Sequence, residues 1–142
     1  MKELSTQFKG TITELQVASY LLTLGYVVSQ PLVQDSKYDL IVDINHKLIR
    51  LQVKTARENI KATSGKAITF NCRSTTNNVR ECKQRYYSQE DIDYFATYWD
   101  KECFLIPVKE CSAEKTIWLT QPINPASTYA YDYLAEEVLK SI

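Results

Sequence analysis

Residues 38–55 constrain this chain more than any other stretch. They read Tyr38-Asp-Leu-Ile-Val-Asp43, a polar Asn45-His46-Lys47 turn, and Leu48-Ile-Arg-Leu-Gln52-Val-Lys54-Thr55. Two apolar runs of strand length joined by a short polar turn predict a β-hairpin. Alternation along a strand sends Tyr38, Leu40, Val42 and Ile44 to one face and Asp39, Ile41 and Asp43 to the other. On the second strand Ile49, Leu51 and Val53 oppose Arg50, Gln52 and Lys54. One face feeds a core, while the other gathers Asp39, Gln52 and Lys54. For Arg50 and Asp43 alone, a solvated sheet face accounts for the pattern.

The first forty residues bear on the choice. Phe8 to Leu24 has helical spacing, Gly25 suits the position just past a helix end, and Tyr26 to Pro31 reads as a short strand. At about 100° per residue, Leu15, Val17, Ala18, Leu21 and Leu22 form an apolar stripe with Glu14 near its middle, and Gln16, Ser19 and Thr23 lie opposite. A carboxylate there is either turned to water at the positive helix end or, if buried, paired or bound to metal. The two readings stand level on the helix alone.

Lys9-Gly10-Thr-Ile-Thr-Glu14, Gly25-Tyr26, Tyr38-Asp39-Leu-Ile-Val-Asp43 and Gln52-Val-Lys54-Thr55 together resemble the PD-(D/E)XK nuclease superfamily. The likeness is nearest to its small bacterial and cyanobacterial group that includes a group I intron-encoded homing endonuclease. It continues into Ile68 to Ser74 and Asp91 to Phe95, and order and spacing make it specific. The resemblance implies an α/β restriction-endonuclease-like core, a mixed central sheet flanked by α-helices. It matches Asp39 to the metal-binding aspartate, Gln52 to the D/E position, Lys54 to the lysine and Glu14 to the helical acid. Tyr38 stands where the family has proline, and Gln52 where it usually has a carboxylate.

Those residue types suit metal-assisted phosphodiester hydrolysis. Mg²⁺ accepts one or two carboxylates plus phosphate oxygens and keeps several waters. Asp39, Gln52 and the Val53 carbonyl are the expected ligands, with Glu14 for a second metal and Mn²⁺ as a substitute. Lys54 would orient the attacking water or neutralise developing charge. Gln52 supplies an oxygen without a charge and so weakens metal affinity.

Net charge is zero, which by itself does not point to nucleic acid, but its distribution does. Residues 45–87 hold ten lysines and arginines against two acids, whereas residues 1–44 hold three against five and residues 88–142 four against ten. Lys9, Arg50, Arg57, Lys61, Lys66, Arg73, Arg80, Lys83, Arg85 and Tyr86 are the expected contacts to double-stranded DNA, where cations neutralise phosphates and Arg reads base edges. Cys72, Cys82, Cys103 and Cys111 show no C-x-x-C spacing and the only histidine is His46, a poor zinc set. Lacking a signal peptide or long apolar run, the chain is expected in the cytoplasm, away from membranes, with reduced thiols and with Cys72 and Cys103 in the core.

The length predicts one nuclease domain over residues 1–142. Ala67 to Arg73 reads as a strand, Ser74 to Gln89 as irregular or weakly helical, and residues 92–99 and 103–108 as strands joined by an Asp100-Lys101 turn. Ile117 to Leu119 adds a short strand, and Thr128 to Ser141 predicts a terminal helix striped by Tyr131, Leu134, Val138 and Leu139. One active site cuts one strand, so a double-strand break calls for a homodimer or homotetramer. A junction-resolving, repair or restriction nuclease shares these features, as does a DNA-binding protein that has lost its chemistry.

Overall fold

The computed structural model describes residues 3–77 and 82–142. Helix α1 (Thr6–Thr23) begins at Ser5, whose Oγ accepts the Phe8 N–H, and Gly25 closes it with φ of 91°. Its buried line is Thr13, Val17 and Leu21. Leu15 and Leu22, expected on the buried stripe, are exposed; the true core line lies on the flank marked by Thr13. Glu14 sits half-buried at the edge of that line rather than in its middle.

Strand β1 (Val27–Ser29) leads to the predicted hairpin, β2 (Leu40–Ile44) and β3 (Lys47–Val53). Asn45 and His46 both take positive φ, the geometry of a two-residue turn whose twist suits antiparallel strands. β2 and β3 pair with Leu40 opposite Leu51 and Ile44 opposite Lys47. Strand β4 (Arg57–Glu58) is brief; β5 (Ala67–Asn71) follows as expected. Residues 74–89, expected irregular or helical, instead contribute to an antiparallel ribbon of β6 (Arg73–Asn77) and β7 (Cys82–Tyr86). β8 (Tyr94–Trp99) and β9 (Glu102–Pro107) turn at Asp100 and Lys101, again with positive φ. β10 (Glu114–Trp118) starts earlier than Ile117 because it pairs along all of β5.

The central sheet runs β1-β2-β3-β8-β9 and is mixed, since β3 and β8 are parallel and the other neighbours antiparallel. Alternation on β9 feeds two cores: Cys103 and Leu105 join Val17, Leu21, Leu40 and Val42 on one face, and Phe104 and Ile106 join Ile68, Phe70 and Ile117 on the other. Helices α1 and α2 (Ala135–Lys140) cover the first face. The small sheet β10-β5-β4 covers much of the second. The terminal helix is shorter than expected because Leu134 forms a β-bridge with Phe104, and residues 130–133 make a 3-10 turn that leaves Tyr131 exposed. Among the described residues no helix is long and apolar enough to cross a membrane.

Candidate active site

The hairpin's paired register ends at Leu40 and Leu51, and Gln52 lies beside Phe95 of β8 on the face turned away from α1. Asp39 lies where β2 begins. Its N–H donates to the Leu51 carbonyl (2.8 Å), and its Oδ2 accepts the Val53 N–H (2.9 Å). The carboxylate thus takes the place of a ladder carbonyl and is locked to the β3 end. The Lys54 N–H then turns to the Ala96 carbonyl on β8 (2.9 Å), so the parallel pairing that ends the hairpin also fixes the lysine's root.

Lys54 Nζ donates to the Arg73 carbonyl (2.9 Å) and lies 5.5 Å from the centre of the Tyr87 ring, within cation–π range. Burial lowers its pKa, against the opposing pull of the nearby Asp39 charge. Burial likewise raises the Asp39 pKa, while the Val53 N–H and Lys54 act against it. Glu14 shares with Asp39 a cleft of about 430 Å³ that Thr11, Gln30 and Tyr38 also line. Its pKa is raised by burial first and then by the Asp39 charge, whereas the Gln30 Nε2 donor, 3.2 Å from Oε1, lowers it. Two carboxylates raised by burial, one of them also by the other's charge, are what a cation would relieve.

Gln52 Oε1 is buried and has no hydrogen-bond partner among the described residues. An orphaned carbonyl oxygen costs stability, and next to Val53, whose N–H holds Asp39, it fits a ligand to a hard cation. Among the described residues no three His, Cys, Asp or Glu come together; the oxygens at hand are the Asp39 and Glu14 carboxylates, which share the cleft, and the Gln52 amide, which is not among its walls. That set fits Mg²⁺ or Mn²⁺, which need few protein ligands beside phosphate and water.

Three contacts at the site have no counterpart in the sequence reading. Gln30 steadies Glu14. Thr13 and Thr55 join their hydroxyls at 2.9 Å, and Thr13 also donates to the Lys9 carbonyl, pinning α1 beside the residue after Lys54. Tyr87, not Tyr86, turns inward, stacking edge-on against Phe95 beneath Lys54, while Tyr86 is exposed. A threonine on the buried helix line was the one visible signal. The others depend on contacts far apart in sequence.

The basic residues separate by environment. Lys9, Lys61, Lys66 and Arg85 are exposed, and Lys9 reaches Glu3 at 3.8 Å. Arg57 is exposed and bonded to Glu114 at 2.9 Å. Arg73 gives its carbonyl to Lys54 and its N–H to Asn71 Oδ1. Arg50 is held inside the fold: its guanidinium contacts both Asp93 carboxylate oxygens and the Gln89 and Glu90 carbonyls. Of Lys83 only the position on β7 is described, and Arg80 lies outside the described residues.

Residues 4–130 match the sequence profile of the PD-(D/E)XK endonuclease family. Among solved structures the chain is similar to a bacterial homing endonuclease, I-Ssp6803I, with 23% identity and a TM-score of 0.76 over 97% of this chain and 95% of that one. No curated protein matches the sequence. The structural likeness, at that identity, carries the fold, and the family match spans most of the chain, hairpin and helix included. The chain belongs to the PD-(D/E)XK endonuclease family.

Proposed function

We propose that the chain is a Mg²⁺-dependent DNA endonuclease, active also with Mn²⁺, which makes site-specific double-strand breaks as a homodimer or homotetramer in the manner of a homing endonuclease. The observation that carries the metal reading is the buried Gln52 oxygen, without a partner among the described residues, one residue from the Val53 N–H that holds Asp39. The homing assignment rests on the likeness to the structure titled as a bacterial homing endonuclease.

Asp39, Gln52 and Glu14 would hold the cation, with the Val53 carbonyl as a further oxygen. When bound, the cation supplies Lewis acidity at the scissile phosphate and lowers the pKa of a coordinated water. Asp39 cannot swing away, because the Val53 N–H holds one oxygen and leaves the other for a ligand. Lys54 has three donors; one is committed to the Arg73 carbonyl, and two remain to orient water and to contact a phosphate oxygen as negative charge grows. Tyr87 keeps the ammonium in place from below. Lys61, Lys66, Arg73, Arg80, Lys83, Arg85 and Tyr86 provide phosphate and groove contacts, and Arg57 joins them if it exchanges Glu114 for DNA.

The glutamine at position 52 favours a second reading, a DNA-binding protein without turnover. Incubation of the purified protein with linear duplex libraries and a branched junction, with Mg²⁺ or EDTA, separates them. Cutting at one long, roughly symmetric site supports the homing endonuclease, and junction-only cutting supports a resolving enzyme. Binding without any cut selects the second reading.

A further inference from the structure

The outward face of α1 carries a repeat that the fold does not use. Phe8, Ile12, Leu15, Ser19 and Leu22 recur at steps of four and three, the spacing of a coiled-coil seam. At about 100° per residue this line lies opposite the buried Thr13, Val17 and Leu21. Phe8 is 64% exposed, Leu15 60%, Leu22 57% and Ile12 41%. A cleft of about 410 Å³ runs beside them, walled by Ile12, Leu15, Ser19, Tyr20 and Tyr98. The only charged residues of α1 are Lys9 and Glu14, and neither is on the seam. A helix facing water normally charges its outer side.

We propose that this seam packs against the same seam of a second copy of the chain in a two-fold, antiparallel helix pair. The inference rests on the homodimer proposed above and names its surface. In the antiparallel register that aligns alternate seam positions, Phe8 meets the small Ser19 of the second copy and Ile12 meets Leu15, an apolar pair of equal size. A two-fold contact doubles every like-charge clash, and an uncharged seam has none. The competing occupants lack support in the charges. A lipid surface or nucleic acid calls for a row of cations, and α1 offers Lys9 alone. A charged peptide would find no complement. Glu14 projects roughly 120° away from the seam, so pairing leaves each catalytic cleft open.

The seam spans only two heptads and buries less than the roughly 800 Å² per partner of a standard interface. Dimerisation should therefore depend on concentration in the micromolar range. Sedimentation equilibrium of the full chain, without metal or DNA, tests this. The parent should reach at least twice the mass of one chain as concentration rises, and Leu15→Lys should halve the limiting mass with an unchanged circular dichroism spectrum. Should Leu15→Lys fail to fold, the milder Leu15→Gln decides, with self-association weakened about tenfold. A parent that stays monomeric, or a folded variant of unchanged mass, overturns the proposal. Because mass is read without substrate, a parent that dimerises yet cuts no DNA rejects the nuclease reading and leaves this interface standing.

Discussion

At Gln52 folding and chemistry pull in opposite directions. The buried Oε1 lacks a partner among the described residues, and leaving such a group unsatisfied costs about 1–3 kcal/mol. Gln52→Met, close in length and volume, should therefore stabilise the metal-free protein by about 1 kcal/mol in urea denaturation while abolishing cleavage; a loss of stability would mean the oxygen is satisfied after all. Glu14 shows the same tension in its charge. Its pKa is raised in the folded protein by burial and by Asp39, so its favourable contribution exists when it is protonated and fades as pH rises through the folded value. Thermal melts in EDTA should show Glu14→Gln more stable than the parent at neutral pH and nearly level with it in acid. Added Mg²⁺ should stabilise the parent at neutral pH more than the variant. That Gln52 turns away from the Leu51 and Val53 core was legible from strand parity, because alternation is a local rule, whereas the roles expected of Asp39, Gln52 and Lys54 came from the family resemblance. Gln30, Thr55 and Tyr87 were not legible, because their partners lie 16, 42 and 33 positions away in the chain.

The hairpins announced themselves, since Asn45-His46 and Asp100-Lys101 interrupt apolar alternating runs and adopt the positive φ that tight turns require. The β6-β7 ribbon did not. Its strands are written in Arg, Ser, Thr, Asn, Lys and Gln, with only Cys82 and Tyr86 breaking the polar run at the ends of β7, and such a run has no hydrophobic period to read. The terminal helix was overextended for the reverse reason: Leu134 fits a helical stripe yet is claimed by a bridge to Phe104. Arg50 ties β3 to the 88–93 turn through Asp93 and two carbonyls, and its side chain is 29% exposed. Arg50→Ala should cost about 2–3 kcal/mol of stability through lost charge-assisted hydrogen bonds. DNA affinity at a temperature where the variant is fully folded should change little; a large loss would return Arg50 to the DNA surface.

For the whole molecule, neutrality conceals a polarised chain whose basic third begins in the hairpin and runs through the ribbon to residue 87. Binding should accordingly fall steeply with salt, and Lys61→Ala or Lys66→Ala should each lower the slope of log affinity against log salt by about one. Salt-independent binding would contradict that picture. A mixed central sheet and its hairpin were foreseeable because the family resemblance implies the one and alternation encodes the other, but the strand order was not. The second face was not: its cover is β10-β5-β4 rather than a helix, set by pairings between residues about 47 positions apart.

Asp39, Gln52, Lys54 and Glu14 together are proposed to form a working metal-dependent site. The most direct test is cleavage of a randomised duplex library by the parent, Asp39→Ala and Lys54→Ala, each with Mg²⁺ and with EDTA, scored by sequencing cut ends. The account predicts cutting by the parent with Mg²⁺ alone, and none by either variant despite native melting curves and retained DNA binding. Unchanged turnover in Asp39→Ala, or cutting that persists in EDTA, would contradict it.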